Sequence, residues 1–210
     1  MVMVPETEDM ESLFKEAARL RGHMCLGIPL GVRMGLRGLE LLDVVDKKKR
    51  DSLMVVVEAN NCTADGIQVA TGCSAGSRRL RVFDYGRSAA VFYDGVSGRG
   101  FRVATRPEFQ AQAVELGLKQ GLIKEGQAVE ESSQLEREIQ KNAFLRMPKE
   151  ELLDCREVKV TARALLLQNR LQPRKVCARC GEVIMDGKGI SRDNEVFCYP
   201  CFYGSYFVAL

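Results

Sequence analysis

Apolar residues recur at helical spacing through Met10, Leu13, Phe14 and Ala17, behind an acidic start at Glu8, Asp9 and Glu11. This pattern predicts an amphipathic helix from Thr7 to about Arg21. Gly22 and Gly27 then bracket His23, Met24, Cys25 and Leu26, and a second helix rich in small residues is expected over Ile28 to Leu42. Leu53 to Ala59 is an almost unbroken apolar run with three consecutive valines, the pattern of a strand covered on both faces. The polarity changes at Asn60 and Asn61, and a third helix is expected to begin near Cys62.

Three β-rich stretches follow between Leu80 and Thr105, broken by Gly86-Arg87-Ser88 and by Asp94 to Gly98, which predicts an antiparallel meander. Pro107 opens a helix carrying Phe109, Ala113 and Leu116, and Ser133 opens another carrying Leu135, Ile139 and Ala143. A short helical turn over Lys149 to Asp154 and a strand over Arg156 to Ala162 complete the first part. The polar stretch Asn169 to Lys175 contains Pro173, and the expected domains are residues 1–172 and 173–210.

The C-terminal part changes the picture from packing to chemistry. Cys177-x-x-Cys180 and Cys198-x-x-Cys201, seventeen residues apart, have the spacing of a tetrahedral four-cysteine zinc site. Gly181 permits the positive φ of a tight knuckle, and Asp186 to Gly189 is expected to supply a hairpin turn. With four thiolates on the ion no position is left for water or substrate, so this zinc is expected to be structural.

The chain has 210 residues and 8 cysteines, half of them paired as C-x-x-C, and its N-terminus lacks the regions of a signal peptide. Metal ligation is therefore expected rather than disulfides, with a cytoplasmic location as the default. No apolar run approaches the ~20 residues of a membrane span. The formal charge is +3, which four zinc-bound thiolates reduce to about +1. The basic residues of the C-terminal module are offset by Glu182, Asp186, Asp193 and Glu195, which argues against nucleic acid as a partner. Its aromatic tail, Phe202, Tyr203, Tyr206 and Phe207, needs covering, and a homodimer is expected.

A second constellation lies near the N-terminus. His23 is the sole histidine, Cys25 follows it by two positions at a glycine-flanked break, and Cys62 stands at the strand-to-helix turn. An imidazole and two thiolates suit zinc or a similar transition metal and leave a coordination position open. Ordinary hydrogen bonding for the histidine and burial of the cysteines as small hydrophobes are the alternatives. Asp65 and Cys73 are secondary candidates.

Arg21 to Gly27, Leu30 to Gly35, Glu58 to Gln68, Thr71 to Gly76 and Asp84-Tyr85-Gly86 together resemble the motifs of the FmdE (FwdE) family of formylmethanofuran dehydrogenase proteins. The resemblance implies an α+β fold, with a helix, a strand, a helix and three strands around a mixed sheet. It centres on His23, Cys25 and Cys62, and implies an accessory to a molybdenum- or tungsten-dependent oxidoreductase or its cofactor, with an oxidoreductase subunit as partner. Leu26 and Ser77-Arg78-Arg79 depart from the usual pattern, the latter placing two cations where a small turn is common. The C-terminal module resembles the DksA/TraR-type zinc finger through Cys177-x-x-Cys180-Gly181-x-x-Ile184 and Cys198-x-x-Cys201. Two other functions remain open: a metal- or thiol-dependent enzyme in its own right, and a nucleic-acid- or polymerase-binding regulator.

Overall fold

A computed structural model describes residues 7–130, 133–160, 173–205 and 207. The chain forms two compact units, Met1–Leu166 and Leu167–Leu210. The boundary expected at 172/173 falls at the end of 161–172, which lies outside the described residues, as does the end of the strand expected over Arg156 to Ala162.

In the first unit, helices α1 (Thr7–Arg21) and α2 (Gly27–Leu41) precede strand β1 (Leu53–Val57) and helix α3 (Thr63–Thr71). Strands β2 (Leu80–Val82), β3 (Ala89–Asp94) and β4 (Arg99–Thr105) come next. Helices α4 (Phe109–Lys119), α5 (Gln134–Arg146) and α6 (Lys149–Leu152) lead to strand β5 (Leu153–Lys159). All five residues of β1 are buried, as its valine run predicts. The N-terminus of α5 is fixed by Ser133, whose side chain accepts from the Glu136 amide.

The sheet has the order β2-β1-β3-β4-β5 and is mixed. β2 runs parallel to β1, with Val55 opposite Leu80, whereas β3, β4 and β5 are antiparallel to their neighbours. The expected meander is thus corrected. LRVFDY does not pair with the strand that follows it; the α3 crossover returns the chain beside β1 in the same direction, which a short turn cannot achieve. The last strand also starts three residues earlier than expected, at Leu153 directly after α6.

Alternation along the strands separates two faces. Leu53, Val55, Val57, Ala90, Phe92 and Val103 pack against residues of α2, α4 and α5, including Met34, Ala113 and Phe144. Phe109 and Phe144 stack with ring centroids 4.8 Å apart. Each fully buried side chain of this size contributes roughly 1.5–3 kcal/mol. Met54, Val56 and Tyr93 are buried on the opposite face. α1 packs against α2 and α3 through Phe14 and Ala17, which meet Ile28, Val32 and Ala70.

A seam of small residues joins α2 to α3. A Cβ at Gly31 would lie 2.1 Å from the Thr63 carbonyl oxygen, one at Gly35 would lie 2.7 Å from Ala70 Cβ, and one at Gly66 would lie 2.5 Å from the Ile28 carbonyl oxygen. Only hydrogen at these positions allows the two backbones to touch. Gly27 continues the seam to Cys62 and Thr63.

In the second unit, β6 (Lys175–Val176) pairs with β7 (Val183–Ile184), and β8 (Ile190–Arg192) pairs with β9 (Glu195–Phe197), ahead of a short helix over Tyr199–Tyr203. The hairpin turn is Asp193-Asn194, both residues with positive φ, as a two-residue turn between twisted strands requires. Asp186 to Gly189, expected to make that turn, instead connects β7 to β8, which do not pair with each other. Among the described residues no helix is long and apolar enough to cross a membrane.

Candidate functional site

The second unit gathers its four cysteines as their spacing predicts. The sulfur atoms of Cys177, Cys180, Cys198 and Cys201 all lie within 4.8 Å of one another, so the cluster is able to hold a metal ion. Cys177 and Cys180 come from the knuckle between β6 and β7, where Gly181 has a φ of +76° and its amide donates to the Cys177 carbonyl. Cys198 and Cys201 come from the start of the short helix, and the Cys198 amide donates to the Cys177 sulfur at 3.3 Å. Cys180 and Cys198 sulfurs are 3.8 Å apart.

The electrostatics match a site that binds cations through thiolates. Backbone amides of Cys180 and Cys198 lower the Cys177 thiol to about 6. Crowding by its neighbours, Cys198 first, pushes Cys201 up to about 12. Four sulfurs this close cannot all ionise without a cation among them.

In the first unit the thiols of Cys25 and Cys62 are neighbours. Cys25 belongs to the break between α1 and α2, and Cys62 directly precedes α3 at the carboxyl end of β1; both are half-buried. The Cys62 sulfur nestles against Gly27, where a Cβ would lie 2.6 Å from it. Burial, and then the adjacent Cys25 thiol, push the Cys62 thiol above its ordinary range, while the Gly27 amide opposes the shift.

The remaining candidates are placed differently. His23 is exposed in the bend after α1. Among the described residues the four C-terminal cysteines are the one group of three or more such side chains placed to hold a metal ion, so His23, Cys25 and Cys62 do not form a comparable group. Asp65 lies in the first turn of α3 and pairs with Arg21 at 3.7 Å. Cys73 is fully buried in the core beneath α3, its thiol 3.6 Å from the Leu53 carbonyl, and burial raises it. Arg79, one of the two cations in the unusual turn, donates to the carbonyls of Arg50 and Gly72, so its charge is engaged within the fold.

One pair escaped the sequence reading. Glu58, immediately after β1, accepts two hydrogen bonds from Arg102 of β4, each 2.8 Å long, with its side chain only 8% exposed. The Glu58 backbone carbonyl accepts from the amides of Tyr85 and Arg87, which fastens the loop after β2 to the turn that carries Cys62. A carboxylate ending an apolar strand and an arginine between Phe101 and Val103 were the available signals.

Arg102 holds the Glu58 carboxyl below its usual range. The depressed folded value means the pair stabilises fully above the unfolded pKa of about 4.3, and this contribution is lost as pH falls through the folded value. Arg102→Ala is expected to cost about 3 kcal/mol at neutral pH, because it strands a buried carboxylate. Urea titrations of both proteins should show that difference shrinking below about pH 4.3; a difference independent of pH would rule out the charge pair as its origin.

A groove of about 520 Å³ runs between α1 and α3, lined by Glu16, Arg19, Leu20, Gln68, Val69 and Ser74 among others.

Three comparisons bear on this architecture. The family described as "FmdE, Molybdenum formylmethanofuran dehydrogenase operon" matches residues 20–154, a span that includes Cys25, Glu58, Cys62 and Arg102. A relative from Archaeoglobus fulgidus, described as "Probable S-adenosyl-L-methionine-binding protein", is 31% identical over 94% of this chain and 54% of its own length. The chain therefore spans about half the length of that curated relative. A crystal structure of a tungsten formylmethanofuran dehydrogenase FmdE-like protein from Syntrophus aciditrophicus superposes with a TM-score of 0.65, covering 95% of both chains at 21% identity. At that identity the likeness is one of fold.

Proposed function

This chain belongs to the FmdE family, and from that premise we propose that it is a zinc-binding accessory of a molybdenum- or tungsten-dependent oxidoreductase or its cofactor. The observation that carries the reading is the approach of Cys25 and Cys62 at the β1–α3 turn, within the region the family shares. In this reading the two thiols, with His23 swinging in from the exposed bend, hold a second transition metal or a metal-bearing cofactor. The donor set of two soft sulfurs and an imidazole suits such a role.

The four-cysteine cluster is read as a structural zinc finger of DksA/TraR type. Zn–S bonds of about 2.3 Å give a tetrahedron with edges of about 3.8 Å, which the Cys180–Cys198 separation of 3.8 Å matches. Zinc there supplies folding energy and, with all positions filled, no catalysis. Tyr199, Tyr203 and Phe207 are exposed around it and are assigned to self-association or to the oxidoreductase partner. The ligand named for the Archaeoglobus relative is not transferred, because nearly half of that protein has no counterpart here.

Metal content per chain tests the proposal. Purified anaerobically, the wild type is expected to carry two metals and the Cys25→Ala/Cys62→Ala variant one. A single metal in both proteins would remove the second centre and with it this reading of the first unit.

A further inference from the structure

We propose that Cys25 and Cys62 form a reversible disulfide that closes the first-unit site under oxidising conditions. The inference shares its two thiols with the metal reading above but stands on their placement alone. Cys25 lies in the α1–α2 break and Cys62 directly precedes α3, so the pair joins two segments that are distant in sequence and adjacent in space. Both side chains pack against the α1–α2–α3 cluster, and Gly27 lies against the Cys62 sulfur, confining it on that side. The α2–α3 seam holds the backbones in contact through Gly31 and Gly66. This packing keeps the Cys62 sulfur beside the segment that carries Cys25, the first requirement for a disulfide between them.

His23 and Met24 are exposed and both thiols are half-buried, so a small oxidant reaches them. Cys73 is fully enclosed and takes no part. The oxidant is a low-molecular-weight disulfide. The thiolate of one cysteine attacks it, forming a mixed disulfide and releasing one small thiol. The second cysteine, as thiolate, attacks the protein sulfur of that mixed disulfide and expels the second small thiol. Two protein thiols thereby lose two electrons and two protons, and the oxidant leaves as two thiols. In the oxidised state neither sulfur is a thiolate ligand, so metal capture at this site is coupled to the redox poise around it.

The zinc-loaded full chain is equilibrated with mixtures of glutathione and its disulfide, quenched with an alkylating agent and digested. Fragment-ion sequencing separates Cys62 from Cys73, which share a tryptic peptide. The expected result is a Cys25–Cys62 cross-link as the main oxidised species, lost on treatment with excess dithiol. A Cys62→Ser chain is expected to stop at a mixed disulfide on Cys25. Separate glutathione adducts on both cysteines of the wild type, or two thiols still free in excess glutathione disulfide, would overturn the inference. Metal content of the reduced chain, measured in parallel, separates the two readings: a cross-link with one metal per chain supports the disulfide and removes the second centre, whereas two metals without a cross-link does the reverse.

Discussion

Stripping the metal from the four-cysteine cluster is expected to unfold the second unit while leaving the first intact. Among the described residues from 173 onward only Cys177 and Ile184 are buried, so these residues form almost no apolar core of their own. Its strands are two or three residues long and pair as two separate hairpins. Such fragments do not persist unaided. Structural zinc sites contribute on the order of 10 kcal/mol or more of apparent binding energy, and here that energy is folding energy. Addition of a strong chelator, or Cys180→Ser, should therefore expose the stretch 177–201 to limited proteolysis within minutes. The fragment carrying β1 to β5 should stay resistant, because its core is independent. Protection of 177–201 after complete metal removal would show that packing alone holds the unit.

The second large effect is expected at the glycine seam. Gly31→Ala places a methyl group 2.1 Å from the Thr63 carbonyl oxygen and 2.9 Å from its carbon, both main-chain atoms that cannot rotate away. Helix α2 must then shift off α3, and overpacking of this kind costs about 3 kcal/mol. Gly76→Ala is the control: its new Cβ would meet only Ser74 Oγ at 3.9 Å, and a change within about 0.5 kcal/mol is expected. Urea denaturation of the two variants decides the matter. Equal stability would mean that the helices do not rely on close backbone contact.

Much of this architecture is legible in the residues, and the limits have physical causes. The triple valine of β1 declares burial on both faces, and Ser133 followed by Glu136 declares the start of α5. The pairing of β2 is not legible, because LRVFDY and AAVFY carry the same β-forming composition and nothing local records which neighbour each will choose. The glycines of α2 are visible as a run at four-residue spacing, yet their partner, α3 along its length, is a tertiary fact. The four C-terminal cysteines announce a metal cluster through spacing alone, since C-x-x-C geometry is local. Cys25 and Cys62 are visible as candidates, but their proximity depends on the seam, and the exposure of His23 depends on how the chain turns at Gly22. Glu58 and Arg102 went unread because each looks solvated on its own, and only the β1–β3–β4 register brings them together.

The parallel pairing of β1 with β2 also bears on the order of folding. β3 and β4 are joined by the short turn 95–98 and can meet in microseconds, as hairpins do. β1 and β2 are separated by the whole of α3, so their pairing demands a longer loop closure. The parallel pairing beside β1 is therefore expected to follow the hairpin that supplies Arg102. Until α2 and α3 meet along their glycine seam, a newly made chain presents Cys25 and Cys62 as separate, unguarded thiols.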